Sequence, residues 1–196
     1  MKNWTYTDDI HNSVTIDHIK FRINTSYDNI IRLLKHMGEE RDDKLETFFR
    51  IIFYPQDHDK IQALTKDWKP DEYYSFNNFI MDAYVMIDTS QGGKKTNDLY
   101  KDSELIFASF YYDYGISLIE KKGKMTWKEF IILLSNLSPQ SPLGRAIKIM
   151  ETPDNELSPE GKAEKRNRKR MLNSDIDINN QLDSLAKFLK TTAKKR

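Results

Sequence analysis

Apolar side chains recur along most of this chain at three- and four-residue steps, the spacing of helices that bury one face. The clearest run lies between Asp102 and Met150. Phe107, Phe110, Tyr111 and Tyr114 share one predicted helical face, and Gly115 stops that helix by entering the left-handed conformation. Ile116, Leu118 and Ile119 form a short apolar run that ends at Lys121, Lys122 and Gly123. Thr126 stands three residues before Glu129, a capping-box pattern, and Trp127, Phe130, Ile131, Leu134 and Leu137 continue as a second stripe. Ser138-Pro139 closes it, because proline disfavours the helical conformation of the residue before it. Ser141-Pro142 starts a third helix, with Leu143, Ala146, Ile147 and Met150 on its buried face.

Upstream, Val14 and Ile16, then Ile19, Phe21 and Ile23, alternate on either side of Asp17-His18, which predicts a β-hairpin. Thr25 and Asp28 have capping-box spacing ahead of Tyr27, Ile30, Ile31, Leu34 and Met37, and Gly38 ends that helix. Leu45, Phe48, Phe49, Ile52 and Phe53 form the next face, before Pro55. A short helix with Ile61, Leu64 and Trp68 ends before Pro70. Ser75 is read as the cap of another, which buries Phe76, Phe79, Ile80, Ala83, Tyr84 and Ile87. Residues 88–101, with Gly92-Gly93 and polar flanks, read as an internal loop.

Past Met150 the pattern turns polar. Residues 152–157 are a linker and Ser158-Pro159-Glu160 a helix start. The segment after it carries Lys162, Lys165, Arg166, Arg168, Lys169 and Arg170. Ile178, Leu182, Leu185 and Leu189 then mark a short amphipathic helix before a basic tail. The fold class is mainly α: a compact multi-helix domain with a small N-terminal β-hairpin and a C-terminal helical arm. Its parts are a loose N-terminus (1–12), a helical body (13–151), and a charged arm with its tail (152–196).

Composition narrows the function. The chain has 196 residues, 38% hydrophobic and 31% charged, with a formal net charge of +1. A near-neutral chain exerts no global pull on nucleic acid or anionic membrane. Without cysteine there is no disulfide, thiolate metal site or cysteine nucleophile. No apolar signal core or membrane-spanning run is visible, so the expected compartment is the cytoplasm.

Candidate chemistry is sparse, and no enzyme is expected. Gly92-Gly93-Lys94-Lys95-Thr96 falls short of a phosphate loop: Asp88 replaces its first glycine and Lys95 its Ser/Thr. Asp175, Asp177 and Asn179 begin like a calcium loop, but Asn180 and Ala186 stand where glycine and a bidentate glutamate are needed. His11, His18, His36 and His58 form no zinc pattern. No cofactor, metal site or catalytic set is assigned. Two features suit binding. Tyr111, Tyr112 and Tyr114 carry hydroxyls that want water or a polar partner. The row Ile178, Leu182, Leu185, Leu189 would pair with a neighbouring helix, such as a second copy or a client. The basic segment from Lys162 to Arg170 supports a second reading, a nucleic-acid-binding or regulatory helical protein. No aromatics interleave there to stack bases.

The sequence Tyr114-Gly115-Ile116-Ser117-Leu118, the helix start Met125-Thr126-Trp127-Lys128-Glu129-Phe130, and the Leu-Leu-x-x-Leu of Leu133 to Leu137 resemble the gene product fifteen family of long-tailed bacteriophages. The likeness runs over about residues 13–172, with its specific part in 102–137. Ser117 and Thr126 depart from the family's usual aspartate and histidine. The resemblance implies a non-enzymatic tail assembly chaperone of the host cytoplasm. Its partners would be the tape-measure protein and tail-tube subunits, with homo-oligomers as a further possibility.

Overall fold

The computed structural model describes residues 12–38, 44–85 and 99–173. The chain is mostly helical with one two-stranded antiparallel hairpin. Strands β1 (Ser13–Ile16) and β2 (Ile19–Arg22) pair in the register Val14–Phe21 and Ile16–Ile19. Asp17 and His18 both have positive φ, 46° and 64°. That two-residue turn matches the twist of the strands it joins. Val14, Ile16 and Phe21 point into the core. Ile23 extends the pairing by bridging to Phe53, and the Asn24 amide donates to the Ile52 carbonyl at 2.8 Å. A lone hairpin is marginal in water; this one is held by the helix end beside it.

Helices α1 (Tyr27–Gly38) and α2 (Lys44–Ile52) pack side by side over Ile30, Leu33, Phe48 and Ile52, all buried. Buried Asn29 pins them to the hairpin: its amide donates to the carbonyls of Ile51 and Asn24, at 2.7 and 2.8 Å. The expected Thr25–Asp28 capping box is not what holds this end. A carboxylate oxygen of Asp28 instead accepts the Gly123 amide, and the Thr25 carbonyl accepts the Trp127 amide.

Helices α3 (His58–Thr65) and α4 (Pro70–Ile80) close an aromatic cluster on α2. Phe49 meets Phe53, Trp68, Tyr73 and Phe76 at ring distances of 5.5–6.3 Å. Ser75 does not cap α4. The helix begins a turn earlier, at Pro70, where the Lys69 amide donates to Glu72, and the Ser75 hydroxyl donates back to the Asp71 carbonyl. Proline with its preset φ is the stronger start signal. Phe79, expected inside, is exposed. After Ile80 the backbone widens into a π-turn, Met81–Val85, which buries Met81 and Val85. The expected loop at 88–101 lies mostly outside the described residues.

Helices α5 (Ser103–Tyr114), α6 (Trp127–Ser135) and α7 (Pro142–Glu151) agree closely with the sequence signals. Gly115 ends α5 at φ 65°. Thr126 and Glu129 cap α6 reciprocally, and the Ser141 hydroxyl accepts the Gly144 amide at the start of α7. The buried face of α5 is displaced from the expected aromatic stripe. It consists of Ile106, Ser109 and Phe110, whereas Tyr111 is exposed. Phe110 stacks on Phe130 at 5.2 Å. Ser109, small and fully buried, lets α7 approach and accepts the Leu143 amide at 2.8 Å.

The two halves share one core. Tyr27 stacks on Phe130 at 5.0 Å and donates its hydroxyl to the Leu118 carbonyl at 2.6 Å. The Trp127 indole donates to the Val85 carbonyl at 2.8 Å, and Ser26 bridges to Thr126. Helix α8 (Pro159–Asn173) starts at the predicted Ser158-Pro159-Glu160 and lies against α7.

Candidate functional site

Helix α8 has no buried apolar side chain among the described residues. Its inward positions are occupied by Lys165 and Arg168 instead. Arg168 forms a two-point ion pair with Asp102, at 2.9 and 3.0 Å, and both side chains are withdrawn from water. Lys165 donates to the Thr152 carbonyl at 2.5 Å and pairs with Asp154 at 2.8 Å. The hydrogen bond from Lys165 to Asp154, then the lysine's charge, holds the Asp154 carboxyl below its ordinary range. Near the other end of the helix, the Lys101 ammonium donates to the Leu172 carbonyl at 2.5 Å. Polar anchors therefore hold the described part of the arm on the body.

The basic segment is thus divided between two environments. Lys165 and Arg168 are buried and engaged with the body; Arg166, Lys169 and Arg170 are exposed, and Lys162 is half-buried. The six cations do not form one outward strip. Helical spacing carries a signal for this, since Gly161, Lys165, Arg168 and Leu172 share a face.

The tyrosines also separate. Tyr111 and Tyr112 are 63% and 60% exposed at the end of α5. Tyr114 turns inward and gives its hydroxyl to the Leu133 carbonyl at 2.8 Å. Burial, then the neighbouring Asp113, raises its pKa. Ile119, Ile132 and Met171 are further large apolar side chains left exposed. Ile178, Leu182, Leu185 and Leu189 lie outside the described residues.

Clefts open on the body between described helices. One, of about 370 Å³, lies between α5, α7 and α8, with Leu105, Pro142, Ala146 and Met171 as apolar walls and Arg145 and Glu164 among its polar lining. Another, of about 420 Å³, lies between α1 and α2 and is lined by Arg32, Lys35, His36 and Arg50. The residues joining those two helices, 39–43, lie outside the described residues. Among the described residues, no group of three or more His, Asp or Glu is placed to hold a metal ion, and no helix is long and apolar enough to cross a membrane. The described residues offer exposed side chains and open clefts.

A family model described as "Bacteriophage Gp15 protein" matches residues 6–175. No curated protein and no solved structure matches the chain.

Proposed function

The chain belongs to the bacteriophage Gp15 protein family, and from that membership we propose that it is a non-enzymatic tail assembly chaperone. Its client would be the tape-measure protein, and tail-tube subunits would be recruited in turn, in the cytoplasm of the host cell. The mechanism is helix-in-groove binding: an amphipathic client helix lays its apolar face on exposed aromatic and aliphatic side chains, without chemistry or cofactor. The supporting observation is the exposure of Tyr111 and Tyr112 beside each other on α5. Such rings supply contact area at little entropic cost.

Co-expression with the tape-measure protein of the same phage tests this directly. A soluble complex of defined mass should form and should weaken when Tyr111 and Tyr112 are both changed to alanine. A tape-measure protein that stays insoluble and unbound, together with salt-sensitive binding of duplex DNA, would favour the nucleic-acid reading instead. That alternative has less support, because Lys165 and Arg168 are engaged with Asp154 and Asp102.

A further inference from the structure

We propose that the groove between α5, α7 and α8 is the docking site of the chain's own C-terminal segment, Ser174 to Leu189. The groove is walled by Leu105, Pro142, Ala146 and Met171. Met171 is 39% exposed, a large apolar side chain at the lip of an apolar cleft. Along α8 the lining runs from Glu164 to Met171, which on a helix is about 10 Å, or two turns.

Three observations choose this occupant over others. The first is where the described chain ends: α8 finishes at Asn173, two residues beyond Met171, so the C-terminal segment starts at the lip of the groove. The second is length and pattern. Residues 174–177, Ser-Asp-Ile-Asp, suit the short turn of a helical hairpin, which takes two to five residues. Ile178, Leu182 and Leu185 then recur over about 10 Å of helix, the same length as the groove. The third is charge. Ser174 to Leu189 carries Asp175, Asp177 and Asp183 against a single Lys187, while Arg145 and Arg168 line the groove against one acid, Glu164, and exposed Arg170 donates to Asn167 on its wall. An acidic amphipathic segment folded back antiparallel puts its leucines on the apolar walls and its aspartates beside these cations. The docked segment also covers Met171, the large exposed apolar side chain of α8. This placement stands independently of the tape-measure reading.

The chain has no cysteine, so an introduced pair reports cleanly. In an antiparallel hairpin with Asn173 level with Ile178, Asn167, on the groove wall, comes level with Ser184 and within one residue of Leu185, whereas exposed Lys169 is not part of the groove lining. In the full-length, dilute protein, Asn167→Cys/Leu185→Cys should oxidise to an intramolecular disulfide of monomer mass. It should do so about tenfold faster than Lys169→Cys/Leu185→Cys, the ratio expected of about 1.4 kcal/mol of preferential docking. The thiol of Met171→Cys should in turn react about tenfold faster with a bulky maleimide once Leu182 and Leu185 are both replaced by aspartate, as about 1.4 kcal/mol of lost docking implies. Equal oxidation rates for the two pairs would overturn the proposal. Disulfide-linked dimers from the Asn167/Leu185 pair would also overturn it, and would give the groove to a second copy. Neither result bears on whether the tape-measure protein binds.

Discussion

At the scale of single residues, Gly144 and Tyr27 show where sequence reading stops. The Ser141 cap is legible because the hydroxyl and the amide it serves are three residues apart. The demand on Gly144 comes from the loop before the helix: a Cβ there would collide with the Ser138 carbonyl oxygen and lie 2.8 Å from Pro139 Cα. Gly144→Ala should therefore lower stability by about 1–3 kcal/mol, the usual cost of overpacking. Gly161→Ala is the contrast. Its Cβ would meet side-chain atoms alone, the end of Leu157 at 3.3 Å and then Leu157 Cβ and Ser158 Oγ at 3.5 and 3.6 Å, so removing a helical glycine should raise stability by about 0.5 kcal/mol. Urea midpoints of the two variants, falling on opposite sides of the parent, check both. Spacing alone puts Tyr27 on a buried helical face, but its hydroxyl acceptor, the Leu118 carbonyl, is 91 residues away. Tyr27→Phe leaves that carbonyl without this donor and should cost about 1–3 kcal/mol. Burial, with Asp28 second, raises the Tyr27 pKa above the ordinary 10.0. Because the folded value lies above the unfolded one, this group's contribution is complete below pH 10.0 and is lost as pH climbs through the raised value. The stability gap between parent and variant should accordingly narrow in strong alkali.

At the scale of elements, local signals succeed where they are covalently close and fail where a partner element chooses the face. The hairpin, the caps at Thr126 and Ser141, and the stop at Gly115 are all set within a few residues. The face of α5 is set by what crosses it: Phe130 takes Phe110, α7 takes the small Ser109, and the tyrosines of the expected stripe divide between solvent and the Leu133 carbonyl. Helix α8 is the sharper case. An apolar-face search finds nothing on it, because its docking face is built from charges. Arg168 and Asp102 are both buried. Deleting one member leaves a charge in the interior, which costs far more than the pair contributes. Arg168→Met should therefore destabilise the protein by about 3 kcal/mol or more, while Arg168→Met with Asp102→Leu should recover most of that loss. Urea unfolding of the single and double variants decides it. If the double variant is as unstable as the single one, something other than the stranded carboxylate causes the loss.

At the scale of the whole molecule, the sequence is compatible with two arrangements, one fold or two subdomains on either side of the loop at 88–101. The contacts at the seam favour one fold. Trp127 spans it through the Val85 carbonyl, Tyr27 through Phe130 and Leu118, Asp28 through the Gly123 amide, and Tyr100 through the Ile31 carbonyl at 2.6 Å. None of these partnerships has a local signature, so periodicity can place each residue inside without saying what it faces. They are also the contacts that a pair of separable subdomains would lack, and their energetic consequence is cooperativity. The tryptophans give a way to read it. Trp68 lies in the aromatic cluster of α2, α3 and α4, and Trp127 lies at the seam. A variant that keeps only Trp68 and one that keeps only Trp127 differ in absolute stability. Within each variant, fluorescence and circular dichroism should nonetheless unfold at the same urea concentration, as a two-state domain requires. If the Trp127 signal were lost first while the Trp68 signal and most of the helicity persisted, the seam would be a docking interface between two bodies. The surfaces offered to a client would then have to be sought on each half alone.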